Sequence, residues 1–96
     1  MDFKKIISQQ EPVIVDVRET FEFSMGHVDG AINIPLGLIP LRFEELQKMN
    51  KPLFMYCRSG GRSGQATAFL KSKGIKEVYN AGGLEEALQL FQQVSH

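Results

Sequence analysis

Tryptophan is absent from the 96 residues, and cysteine occurs once. One thiol cannot close an internal disulfide, and without a C-x-x-C partner it points to a reducing compartment, so a cytoplasmic protein is expected. Long apolar runs are missing too. The opening MDFKKIISQQEP offers only Ile6-Ile7, too short for a signal-peptide core or a membrane span, so no membrane association is expected. Eleven basic and eleven acidic side chains leave no net charge, and a pI near 6.7 supplies no general field for nucleic acid or anionic lipid. Internal repeats and low-complexity segments are lacking as well.

What remains is ordinary for a soluble globular protein, with 43% hydrophobic and 23% charged residues. A chain of this length is expected to form one domain, residues 1–96, burying roughly 60 to 70% of its unfolded surface without staples. One local absence stands out. Acidic residues are missing from 46 to 76, while Lys48, Lys51, Arg58, Arg62, Lys71, Lys73 and Lys76 all fall there. Either these cations face the same side as Cys57 and draw a small anion toward it, or the lysines are scattered over a solvated face.

Short apolar runs bounded by turn formers predict strands at 13–15, 31–34, 53–56 and 77–80, the last ending before Gly82-Gly83. Helical spacing fills the gaps. Leu84, Ala87, Leu88 and Phe91 recur at i, i+3, i+4, i+7, and Ala66, Phe69 and Leu70 give a similar stripe over 62–73, with Gly74 suited to the left-handed cap. A further helix is expected over 40–48, with one or two turns at 20–25 and another at 3–8. Alternating strands and helices predict an α/β domain with a mainly parallel sheet. Ligand sites in such sheets lie at the carboxyl ends of strands, where Cys57 falls.

Cys57 opens the segment CRSGGRS, which turns from a strand into a helix. Such a turn aims successive backbone N–H groups inward, and the helix start adds partial positive charge, so anions bind there and a thiolate is stabilised. Gly60 and Gly61 permit backbone conformations closed to other residues and leave room for a ligand near the main chain. Arg58 and Arg62 add guanidinium donors suited to oxyanions. An inert core cysteine would keep different company. The cysteine phosphatases use His-Cys, five residues, then Arg; here Tyr56 precedes Cys57 and only Arg58, Ser59, Gly60 and Gly61 stand before Arg62. The shorter cradle suits a thiolate carrying one extra sulfur better than one attacking phosphorus or arsenic.

Three blocks, VDVRE at 15–19, GHVDGAINIP at 26–35 and YCRSGGRS at 56–63, stand in an order and spacing that resemble the single-domain rhodanese (thiosulfate sulfurtransferase) family over about residues 11–93. The resemblance implies a three-layer fold, with helices flanking the sheet. It implies ping-pong chemistry in which Cys57 takes the outer sulfur of thiosulfate, releases sulfite, and passes the persulfide sulfur to cyanide or another thiophilic acceptor, a protein or a small thiol. Arg58, Ser59, Gly60, Gly61, Arg62 and Ser63 would bind the substrate, with the N–H groups of 58–63 around the persulfide. The basic Arg58 leans toward thiosulfate as donor rather than mercaptopyruvate. No metal or cofactor is implied.

The same likeness makes Asp16 and Arg18 a structural pair and His27 a hydrogen-bonded scaffold residue. Leu84 stands where many relatives carry Trp after the Gly-Gly pair, a position expected to pack the last helix. With no second cysteine, sulfur must leave to an outside acceptor. A different reading keeps the persulfide but not the small-molecule turnover: a carrier or docking module between protein donors and acceptors, since so small a domain leaves Cys57 near the surface.

Overall fold

The computed structural model describes residues 2–92. Its strands are β1 (Val13–Asp16), β2 (Ile32–Asn33), β3 (Leu53–Cys57) and β4 (Val78–Gly83). The helices are α1 (Phe3–Gln9), α2 (Thr20–Ser24), α3 (Ile39–Met49), α4 (Gly61–Ser72) and α5 (Leu84–Gln92), with a short 3-10 turn at Leu36–Leu38. The expected elements are all present. Most bounds shift by a residue, and the largest difference is at β4, which continues through Gly82-Gly83 instead of stopping before them, because Cys57 and Ser59 both pair with Gly83.

The four strands lie in the order β2-β1-β3-β4, all parallel, so the α/β class holds. Every residue of β3 is buried, as a central strand covered on both faces requires. Its alternation decides which layer each side chain enters. Leu53, Met55 and Cys57 join Ile39 and Leu46 of α3 and Ala66 and Leu70 of α4. Phe54 and Tyr56 point the other way, into a cluster with Ala87 and Phe91 of α5 and partly buried Phe3 and Ile6 of α1. The sheet is therefore the middle of three layers.

In the absence of tryptophan, phenylalanine does the filling. Phe54 meets Phe3 and Phe91 edge-on, at 5.2 and 5.6 Å between centroids, and Leu84 packs at the border of that cluster. Full burial of such a ring, as at Phe54, contributes roughly 1.5–3 kcal/mol from area alone. On the opposite face α4 buries Ser63, Ala66, Thr67 and Leu70 rather than a purely apolar stripe. Small side chains there bring the helix start close to the end of β3. Among the described residues no helix is long and apolar enough to cross a membrane.

Candidate functional site

Cys57 closes β3 on the α4 side of the sheet, and it is 1% exposed. The turn that follows folds back over the thiol, and because Arg58, Ser59 and Gly61 of that turn are exposed, the cysteine is covered but still near the surface. Gly60 makes that possible. Its φ of +104°, unfavourable for any residue with a Cβ, turns its N–H toward the sulfur at 3.0 Å. The Ser63 hydroxyl lies 3.4 Å from the same sulfur. Burial pushes the Cys57 thiol up; the Ser63 hydroxyl and the N–H groups of Ser63, Ser59 and Gly60 pull it down and prevail, leaving it below the ordinary thiol range. The turn thus favours the anion.

The expected arginines have different surroundings. Arg62 forms a two-pronged ion pair with Glu22 of α2, at 2.8 and 3.0 Å. That guanidinium, together with the Glu19 N–H, holds the Glu22 carboxyl down at about 2. Arg58 is exposed, and among the described residues its side chain has no partner. It borders a depression of about 400 Å³ whose other walls include Phe21, Met25 and Leu84. Ser59 is exposed beside it, and Gly61 begins α4 in open space.

The five lysines of the acid-free stretch lie elsewhere. Lys48 ends α3, Lys71 and Lys73 end α4, and Lys51 and Lys76 precede β3 and β4, all at the amino end of the sheet. For them the solvated-face alternative holds. Asp16 and Arg18 form a buried pair at 2.8 Å, with Arg18 also donating to the Gly26 carbonyl at 2.7 Å. His27 is exposed, stacked on Phe23 with centroids 3.6 Å apart and bonded through Nδ1 to the Phe23 carbonyl. Tyr56 faces the other layer, where its phenol accepts from the Val28 N–H at 3.0 Å; burial first of all raises its pKa. None of these four is bonded to the sulfur.

Several residues at the site had no place in the sequence reading. A bulge at Ala81, where Met55 pairs with Asn80 but Tyr56 with Gly82, turns the Asn80 side chain toward the cysteine turn. There its amide donates to the Gly60 carbonyl at 3.1 Å and accepts from the Ser63 hydroxyl at 2.7 Å. A Cβ on Gly83 would stand 2.5 Å from the Arg58 carbonyl oxygen, so only glycine fits. Glu86 accepts from the Gly83 N–H at 2.7 Å. The Gly-Gly pair was the one available signal, since adjacent glycines mark close backbone approach as well as turns. Glu22 and Asn80 carried none, because they are distant from Cys57 in the chain. Among the described residues no group of three or more His, Cys, Asp or Glu is placed to hold a metal ion.

Comparison with known proteins agrees with this architecture. Residues 1–89 match the family described as Rhodanese-like domain. A Bacillus subtilis protein named YqhL is 43% identical over 70 residues, covering 73% of this chain and 55% of that protein, so the chain spans little more than half its length. The thiosulfate sulfurtransferase PspE of Escherichia coli is 40% identical over 73 residues, covering 75% of this chain and 70% of the relative. Among solved structures, a rhodanese with anions from E. coli superposes with a TM-score of 0.72 at 38% identity, covering 78% of this chain and 89% of the other.

Proposed function

The chain belongs to the rhodanese-like sulfurtransferase family, and from that premise we propose that it moves the outer sulfur of thiosulfate, through a persulfide on Cys57, to cyanide or another thiophilic acceptor. The observation that carries this reading is the Gly60 N–H set 3.0 Å from the Cys57 sulfur, with the Ser59 and Ser63 N–H groups also lowering its pKa. Oriented amides stabilise negative charge without reorganising during the reaction. They serve first the attacking thiolate and then the terminal sulfur of the persulfide.

In the first half-reaction the Cys57 thiolate attacks the outer sulfur, the sulfur–sulfur bond of thiosulfate breaks, and sulfite leaves with the electron pair. In the second, the acceptor attacks the terminal sulfur, and the thiolate leaves as it began. No oxidant or reductant is consumed. Arg58, exposed and without a partner among the described residues, receives the anionic donor. Arg62, anchored by Glu22, supplies fixed positive charge, Ser59 and Ser63 offer hydroxyls, and Gly60 and Gly61 keep the turn free of side chains. A lone thiol with no resolving partner suits a reducing, cytoplasmic setting.

Intact mass spectrometry tests the proposal. Thiosulfate is expected to add the mass of one sulfur atom, cyanide to remove it with thiocyanate formed, and Cys57→Ser to abolish both. Thiocyanate formation surviving in Cys57→Ser would overturn the reading. Loading without turnover on cyanide or small thiols would instead identify a carrier between proteins.

A further inference from the structure

The hydrogen bonds around Asn80 determine where the Ser63 proton sits. The Gly82 N–H can only donate, and it meets Asn80 Oδ1 at 2.9 Å; the Gly60 carbonyl can only accept, and it meets Asn80 Nδ2 at 3.1 Å. The amide therefore has one orientation. Ser63 Oγ, 2.7 Å from that same Oδ1, must be the donor. A hydroxyl has one proton, so at that moment it gives none to the Cys57 sulfur 3.4 Å away.

We infer that Asn80 is a positioning residue that competes with Cys57 for the single proton of Ser63. While Cys57 is a thiol, its S–H points to Ser63 Oγ, and Ser63 points to Asn80. When the thiol loses its proton to solvent, the Ser63 O–H turns to the sulfur, and Asn80 Oδ1 retains only the Gly82 N–H. The bulge at Ala81 thereby links the end of β4 to the charge state of the nucleophile. Two more acceptors stand near Ser63 Oγ, the Gly60 carbonyl at 3.2 Å and the Gly82 carbonyl at 3.4 Å; both contacts are longer than the 2.7 Å to Asn80 Oδ1, which is therefore the main competitor. The charged side chains at this end of the sheet are Asp16, Arg18, Glu19, Glu22, Arg58, Arg62, Glu85 and Glu86; Asp16 is paired with Arg18 and Glu22 with Arg62, and Glu86 accepts from the Gly83 N–H.

The inference rests on Cys57 being the reactive group of the reading above, but it is measured without sulfur transfer. The midpoint of the pH dependence of iodoacetamide alkylation reports the thiolate alone, so the two ideas fail separately. Asn80→Ala removes the nearest of the competing acceptors and is expected to move the midpoint down by about half a pH unit. Asn80→Asp keeps the acceptor, adds negative charge, and is expected to move it up by about one unit. A purely structural role would loosen the turn in both variants and move both midpoints up, and that result, or no shift in either, overturns the inference.

In a Ser63→Ala background the Asn80→Ala shift is expected to vanish; its persistence is equally fatal. Should the Asn80 variants not fold, wild-type protein decides. The Asn80 side-chain carbonyl carbon resonance is expected to titrate with the alkylation midpoint, and in Ser63→Ala to stay fixed. A resonance that never moves, or that moves without Ser63, refutes the coupling.

Discussion

The two ends of the parallel sheet hold charge in opposite ways. At the amino end, Lys48, Lys51, Lys71, Lys73 and Lys76 stand on element termini; Lys51 reaches Glu11 only at 3.9 Å, and Lys73 lies 5.4 Å from the rings of Phe43 and Phe69. At the carboxyl end both signs are present and opposite charges meet closely: Asp16 with Arg18, Glu22 with Arg62. Positive potential at the sulfur comes from neutral groups, the Ser63 hydroxyl and the N–H groups of Ser63, Ser59 and Gly60. A five-residue strand spans about 17 Å, and exposed charges are screened over about 8 Å at physiological salt. The lysines are therefore too distant to set the reactivity of Cys57. Amides fixed by the backbone act at contact distance and lose no side-chain entropy.

Changes at the carboxyl end should accordingly outweigh any at the amino end. The largest expected loss is from Asp16→Ala, which strands Arg18 as an unpaired buried cation and should cost about 3–5 kcal/mol in chemical denaturation. A cost below about 1 kcal/mol would mean that the pair is not what holds this end together. Gly83→Ala comes next. Its Cβ, 2.5 Å from the Arg58 carbonyl, must push the cysteine turn off β4, costing about 1–3 kcal/mol and more than about tenfold in kcat/KM for thiosulfate.

The Glu22–Arg62 pair is partly open to solvent, so Glu22→Gln should cost under about 1 kcal/mol. Its pH signature has a definite sign. Glu22 titrates at about 2 in the fold against an ordinary 4.5, so the contribution is present above pH 4.5 and lost as pH falls toward 2. Denaturation midpoints of wild type and Glu22→Gln should converge across that window; a constant difference would sink the assignment. Smallest of all is the double change Lys51→Gln and Lys76→Gln, expected to leave stability within about 0.5 kcal/mol and kcat/KM within about twofold. A larger drop in kcat/KM would restore long-range steering by the amino end and break the contrast.

Local pattern made the fold legible. The i, i+3, i+4, i+7 spacing of α5 and the bounded apolar runs of β1 and β3 rest on periodicities that neighbours in sequence enforce, and all three elements form where expected. In α4, Ser63 and Thr67 enter the buried stripe because the helix start must approach β3 closely. The cysteine turn was legible as well, since strand, glycines and helix are contiguous. Its supports were not: Asn80 and Glu22 reach Gly60, Ser63 and Arg62 across 20, 17 and 40 residues of chain.

By itself the sequence determined that a lone cysteine would stand at a strand's carboxyl end, inside a glycine turn with four residues between Cys57 and Arg62, in an α/β domain resembling the rhodaneses. Those features are local, set by residue type and contiguous spacing. Only the tertiary structure decided which cations lie near the sulfur, that Arg62 is bound to Glu22 while Arg58 is free among the described residues, and that Asn80 Oδ1 stands 2.7 Å from the Ser63 hydroxyl. Those depend on which strands become neighbours and on a single-residue bulge in β4, and neither leaves a periodic trace in the chain.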